Sequence, residues 1–372
     1  VSADLVIIVT GILVAVPCAL LGTLLVLRQM AMVGDAISHA VLPGIVLAFF
    51  ISGSLGPLTA LAGAGVFGVL TAVLIQALRD TGRVREDSSI GIVFTALFAL
   101  GVFLISKFAS SVHLDLEHVL YGEIAYAPIN PLVVGGTYLG PRTFWTLGIV
   151  TVLAAGLVLA LYKELKVSTF DPALATALGL SPALVHYLLM GAVSVTVVGA
   201  FDAVGAILVV AFLIVPPAAA YLVTERLSHM MLVAVLLGTV SAVAGYYLAA
   251  ALDVAIAGAM TVVAGGLFAL AALLSPAHGL LAHAARRYRS RRAFARELVL
   301  ARLAALGGSA PEEELARALG WERRELARTL RSAARGGLVE TAGGEVRVRR
   351  ARSGAGRERR RGRSTARWPG WR

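Results

Sequence analysis

Apolar residues run along this chain in long blocks, and nine of the blocks approach the roughly 20 residues that an α-helix needs to cross a bilayer. They are Leu5–Leu27, Val33–Ile51, Leu58–Leu78, Ser89–Ile105, Phe144–Tyr162, Leu184–Phe201, Val204–Val223, Met230–Leu252 and Ala255–Leu274. Short stretches of Gly, Pro and charged residues separate them. The pattern predicts an all-α polytopic membrane protein with about nine transmembrane helices, eight and ten being the bounds. The first block has no basic residues ahead of it and is longer than a signal-peptide core, so it is read as a span.

Beyond Leu274 the periodicity changes. Glu297–Leu306, Pro311–Leu319 and Glu322–Ala334 repeat their apolar residues as amphipathic helices do, with Leu326, Leu330 and Ala333 on the inner face of the last. The segment "GGLVETAGGEVRVRR" alternates apolar and polar residues about Gly343-Gly344, the signature of a hairpin. The expected organisation is therefore a transmembrane domain at 1–275, a basic linker at 276–296 and a small domain at 297–350. The tail 351–372, basic and low in aliphatics, is expected to be disordered.

Composition agrees with the membrane reading. Of the 372 residues 58% are hydrophobic and 15% charged, where soluble domains carry about 25% charge. The net charge of +11 divides unevenly: residues 1–275 hold 9 basic and 13 acidic groups, and residues 276–372 hold 24 and 9. Basic residues follow the odd-numbered spans, namely Arg28, then Arg79, Arg83 and Arg85, then Lys163 and Lys166, then Arg226 and the Arg-rich end. Lys107 and Arg142 depart from that rule. The bias places the odd exits and the C-terminal domain on the cytoplasmic side of the cytoplasmic membrane. The single cysteine, Cys18, excludes an internal disulfide and a cysteine-rich zinc site.

Chemistry enters with "GDAISHAVLPG", which places Asp35 and His39 four residues apart in apolar surroundings. On a helix that spacing puts both side chains on one face. A charge inside a span costs roughly 2.5–3.5 kcal/mol and normally faces a cavity or a partner. One reading has Asp35 cap its helix and His39 bond a neighbouring carbonyl. The other has them share a cation, and Pro43-Gly44, one turn later, favours it because a helix break frees backbone groups and leaves room for a ligand or a close helix neighbour. Carboxylate with imidazole suits first-row divalent ions. In the loop after the fourth span His113, Asp115, Glu117 and His118 form a second polar cluster, read as a solvated loop.

The stretch "RQMAMVGDAISHAVLPGIVLAFF" resembles the signature of the manganese/zinc/iron ABC importer permeases. "FDPALATALGLSP" and "GAFDAVGAILVVAFLIVPPAAAYLV" are similar to the same family, so the resemblance covers about residues 5–275. It implies that Asp35 and His39 line the path of a transported Mn, Zn or Fe ion, with no cofactor of the chain's own. It also implies three kinds of protein partner: a second permease subunit, a separate ABC ATPase and an extracytoplasmic metal-binding protein. The ninth span departs from the family in lacking a Pro-Thr-Gly run.

Import against a gradient needs energy, and a P-loop needs a Gly-Lys-Ser/Thr sequence. The three lysines, Lys107, Lys163 and Lys166, follow Ser106, Tyr162 and Leu165. The chain is therefore expected to be a transport subunit and not an enzyme. Asp171 can cap a helix begun at Pro172, which runs through Ala175 and Leu178 to Gly179, and Pro182 blocks its continuation. In the resembled family that short helix docks into the ATPase. The alternatives are a gradient-driven metal transporter and a membrane-tethered, metal-responsive transcriptional regulator.

Three helices and a two-stranded wing at 297–350 resemble a winged helix-turn-helix, similar to the DNA-binding part of diphtheria-toxin-repressor-like metal regulators. Arg323, Arg324, Arg328, Arg331 and Arg335 would then supply phosphate contacts. No histidine or cysteine follows His283, so a metal-sensing site is not evident there. DNA, the ATPase and anionic membrane lipid all remain open as partners of this domain.

Overall fold

A computed structural model describes residues 2–53, 57–108, 124–129, 131–134, 137–275 and 279–348. The loop cluster at His113, Asp115, Glu117 and His118 and the tail 351–372 lie outside the described residues. The chain forms two compact units, Val1–Ala282 and His283–Arg372.

The first unit is a helical bundle. Its helices are α1 (Ala3–Leu27), α2 (Ala31–Ala40), α3 (Leu42–Ser52), α4 (Pro57–Asp80), α5 (Glu86–Phe108), α6 (Arg142–Ala160), α7 (Tyr162–Phe170), α8 (Pro172–Ala177), α9 (Pro182–Val223), α10 (Leu227–Leu252) and α11 (Ile256–Leu274). Helices α2 and α3 form one span and α9 holds two, so the described residues contain 9 helical stretches long and apolar enough to cross a membrane. A hairpin of β1 (Pro131–Val134) and β2 (Thr137–Pro141) precedes α6. The sequence reading, which expected only helices in this domain, did not include it.

The bundle is built around α1, on which Val14, Ala15, Cys18, Leu21, Leu24 and Leu25 are wholly buried. It packs against α6, α9 and α10. Small residues allow the close approaches, because a membrane bundle is held by van der Waals packing instead of a difference in apolarity between lipid and core. Gly238 of α10 lies against Ala15, and Gly245 lies against Met260 of α11.

Registers between helices fix their directions. Thr151 Oγ1 donates to the Leu13 carbonyl at 2.9 Å and Arg28 reaches Ser168, so α6 with α7 runs parallel to α1. Gly238 meets Ala15 while Ala242 meets Gly11, so α10 runs antiparallel to it. A straight α9 of 42 residues would measure about 63 Å, twice the bilayer core. It starts at the rim where Arg28 holds Ser168 and ends at the same rim, with Leu213 and Pro217 against Gly22 and the Ser275 hydroxyl bonded to the Leu222 carbonyl. The reversal falls at Gly205, whose φ of 76° and ψ of 168° belong to a region open essentially only to glycine. Spans six and seven are therefore a helical hairpin.

The second unit takes in α12 (Leu280–Ala305) from His283 onward, β3 (Ser309–Pro311), α13 (Glu312–Leu319), α14 (Arg323–Arg335), β4 (Val339–Ala342) and β5 (Glu345–Val348). The strands form an antiparallel sheet in the order β3-β5-β4, with Ala310 and Thr341 both opposite Val346. Val299, Leu303, Leu315, Leu326, Leu330, Ala333, Val339 and Val346 make its core. Two expectations are corrected. The basic linker is helical from Leu280, because nothing in 286–296 breaks a helix. Ser309 belongs to an edge strand and does not open the next helix, which Pro311 caps as one of the two expected openers: Gly307 and Gly308, at φ 89° and 93°, turn the chain back beside β5.

The face of α14 opposite its buried stripe carries Arg324, Arg328, Arg331 and Arg335, all exposed, at a spacing that lines them along the helix. Arg323 lies off that line and pairs with Glu313 of α13, which also faces Arg317 at 3.8 Å.

Candidate metal site and the helix that follows the fifth span

Helix α2 is buried on most of its circumference. Val33, Ala36, Ile37 and Ala40 are 2% exposed or less, and a Cβ on Gly34 would meet a methyl of Leu213 at 2.1 Å. The Ser38 hydroxyl is satisfied within the helix by the Gly34 carbonyl at 2.8 Å. What remains open is the stripe through Met32, Asp35 and His39. Burial of the other faces thus aims the carboxylate and the imidazole the same way, and their side chains are 41% and 32% exposed.

The His39 Nε2 and Asp35 Oδ1 atoms stand 3.7 Å apart, beyond hydrogen-bonding range. Two donors at about 2.1 Å from one ion lie about 3.0–3.4 Å apart for ordinary coordination angles, so a small rotation brings both onto a single cation. The imidazole is backed by two rings of α5, Phe94 at 5.4 Å and Phe98 at 5.8 Å between centroids. These apolar walls restrict its rotamers. Among the described residues no group of three or more His, Cys, Asp or Glu side chains converges on one point. At this point the described residues offer two donors on an open face.

Pro43 has no N–H for the His39 carbonyl four residues before it. The helix is interrupted at Val41, between α2 and α3, and of the two expected uses of the room the close helix neighbour is the one found. Val41 keeps helical angles, φ −72° and ψ −24°, and the space is closed by neighbours: Gly101 of α5 lies against Pro43, and Gly63 of α4 against Gly44. Pro43 and Gly44 serve close helix packing here.

At the Arg28 rim, α8 is a helix of 6 residues capped as its sequence predicts. The Asp171 carboxylate accepts from the Leu174 N–H at 2.9 Å, Pro172 takes the first position and Gly179 leaves the helix at φ 80°. Ala175 is fully buried, whereas Phe170 at the end of α7, Leu174 on α8 and Leu178 at its C-cap are 59%, 48% and 63% exposed. Together they give the junction of α7 and α8 an exposed apolar surface. A contact that sequence reasoning missed lies behind it: the Arg28 guanidinium donates to Thr169 Oγ1 and Ser168 Oγ, both at 3.1 Å. Arg28 had been read only as a marker of orientation, because its partners lie 140 residues away in sequence.

Comparisons with known proteins match this architecture. The family model described as the ABC 3 transport family matches residues 5–275. The manganese transport system membrane protein MntD of Bacillus subtilis is 52% identical over 275 residues, covering 74% of this chain and 93% of its own. The zinc transport system membrane protein TroD of Treponema pallidum is 42% identical over 347 residues, covering 91% of this chain and 93% of its own. That share extends past residue 282 into the second unit. Among solved structures, PsaBC from Streptococcus pneumoniae in complex with Fab matches at a TM-score of 0.60 and 33% identity, covering 73% of this chain and 91% of that one. Nine spans in the order found, and a family match over the whole bundle, lead to one assignment: the chain belongs to the ABC 3 transport family.

Proposed function

We propose that this chain is the membrane permease subunit of an ABC importer for a divalent transition metal, manganese or zinc foremost, with Asp35 and His39 as ligands on the ion's path. The observation that carries the reading is the one open stripe of α2, where a carboxylate and an imidazole lie within reach of one cation. The relatives named for manganese and zinc transport support the choice of ion. Two donors fill half or less of the shell such an ion takes. A second permease subunit, facing the open stripe, supplies the remainder at a shared interface. A site completed only between subunits holds its ion while they are apposed and releases it when they separate, as alternating access requires.

The energy comes from a separate ATPase docked at the exposed Phe170, Leu174 and Leu178, on the cytoplasmic side where the basic residues of the odd exits gather. An extracytoplasmic metal-binding protein delivers the ion to the opposite rim. The deciding experiment is uptake into proteoliposomes holding this chain with its ATPase. ATP-dependent uptake that ends when the ATPase loses its P-loop lysine supports the importer. Uptake that persists, driven by an ion gradient, replaces it with a gradient-driven transporter.

The second unit is read as a winged helix, supported by three helices and the β3-β5-β4 sheet around one core. The row Arg324, Arg328, Arg331 and Arg335 then serves as a phosphate-facing edge. Duplex DNA is the partner to test first, against anionic lipid.

A further inference from the structure

We propose that Arg28 is a positioning residue for transport: it ties the end of α7 to the start of α2, so that movement of α8 reaches the helix bearing Asp35 and His39. The proposal rests on the reading of α8 as the ATPase contact.

The connection is short and stiff at each joint. One residue, Asp171, separates α7 from α8, and its carboxylate is already committed to the cap of α8. The last turn of α7 holds Ser168, which is buried, and Thr169, and both hydroxyls accept from Arg28. A guanidinium is planar and reaches two acceptors in a fixed fork, which makes the contact directional.

On the other side, Arg28 caps α1. The Met30 N–H bonds the Leu25 carbonyl at 2.9 Å and the Gln29 N–H bonds the Val26 carbonyl at 3.0 Å. With Gln29 at φ 60°, these are the two bonds of a Schellman motif. Met30 is buried, and α2 starts at the next residue, one helical turn before Asp35. No free loop lies between the guanidinium and the candidate ligands to absorb a displacement. A side chain kept only for topology would need one charge near the rim. This one instead uses two nitrogens on two hydroxyls, with a half-buried head, which fits a mechanical link.

The test measures metal uptake and ATP hydrolysis together, in proteoliposomes of the full chain with its ATPase and the metal that the parent carries. Arg28→Ala is expected to retain the ATPase through purification and to hydrolyse ATP within twofold of the parent, while ions moved per ATP fall at least fivefold. Ser168→Ala with Thr169→Val, which leaves the arginine in place, is expected to reproduce that fall. Arg28→Lys, a single ammonium, should recover part of it.

A parental ratio of ions to ATP in Arg28→Ala overturns the proposal. If Arg28→Ala does not assemble, the Ser168 and Thr169 double variant decides, and a parental ratio there overturns it equally. The outcome is separable from failure of the α8 reading. If Ala175→Pro leaves ATPase association intact, that reading falls. If Ala175→Pro disrupts association while the ratio survives in the variants above, only the role of Arg28 falls.

Discussion

Gly44 of α3 and Gly63 of α4 meet backbone to backbone: a Cβ on Gly44 would lie 2.4 Å from the Gly63 carbonyl oxygen, and one on Gly63 would lie 2.3 Å from that of Gly44. Neither partner can yield by a rotamer change, so the helices themselves must part. Gly63→Val is expected to destabilise the bundle by about 1–3 kcal/mol, the usual cost of overpacking. It should also lower uptake, because His39 lies five residues before Gly44 on the same span. Gly65→Ala is the control, its nearest neighbour being 4.0 Å away. Thermal unfolding in detergent checks both, and equal melting temperatures for the two variants would show that this crossing does not hold α3 in place.

Asp35→Asn keeps the shape of the side chain and removes its charge, and His39→Ala removes the nitrogen donor. Each is expected to reduce metal uptake at least tenfold, with the protein present in the membrane at parental amounts. The double variant should add little to either single one, since two ligands of one ion act as a unit. Additive losses would mean that the two residues serve different steps.

Ala175→Pro removes the hydrogen bond from the Ala175 N–H to the Asp171 carbonyl, 3.0 Å long, and places a ring in the buried inner face of α8. The local cost is roughly 3 kcal/mol. Co-purification of the ATPase should fall while the spans stay folded, since this helix lies outside them. Unchanged association would reduce α8 to a link between spans.

For the second unit, a fragment of residues 290–350 retains the whole core from Val299 to Val346 and omits the arginine-rich tail, which would bind any polyanion. Each phosphate neutralised on duplex DNA contributes about 0.9 to the salt dependence of binding. Arg324→Ala and Arg328→Ala should therefore each lower the slope by about one, whereas Arg323→Ala, already paired with Glu313, should change it less. Binding to anionic vesicles with none to DNA would assign the arginine row to the membrane surface.

The spans were legible because their signal is local: about twenty apolar residues in a row need no partner to be recognised. The cap of α8 was legible for the same reason, since Asp171, Pro172 and Gly179 act within one turn of themselves. The Asp35 and His39 spacing could be read as one face of a helix. That this face is the open one depended on Leu213 covering Gly34 from 179 positions away. The partners of Arg28, the pairing of Ser309–Pro311 with β5 and the choice between a ligand and a helix neighbour at Pro43 were hidden likewise, each being decided by a distant neighbour. The hairpin before α6 was missed because "PLVVGGTYLGP" is short, and two four- or five-residue strands carry little periodicity.

The reversal at Gly205 has a consequence for how that rim of the bundle can be probed. Two spans are joined there with no length of extended chain between them, and a protease must thread several residues of extended substrate through its cleft. Antibodies raised to linear epitopes face the same shortage. With Phe201, Ala203 and Val204 also buried, the corner between spans six and seven should be silent to cleavage and to peptide-directed antibodies from whichever side of the membrane it is probed. Spectroscopic labels meant to report on that rim would have to be carried by other elements.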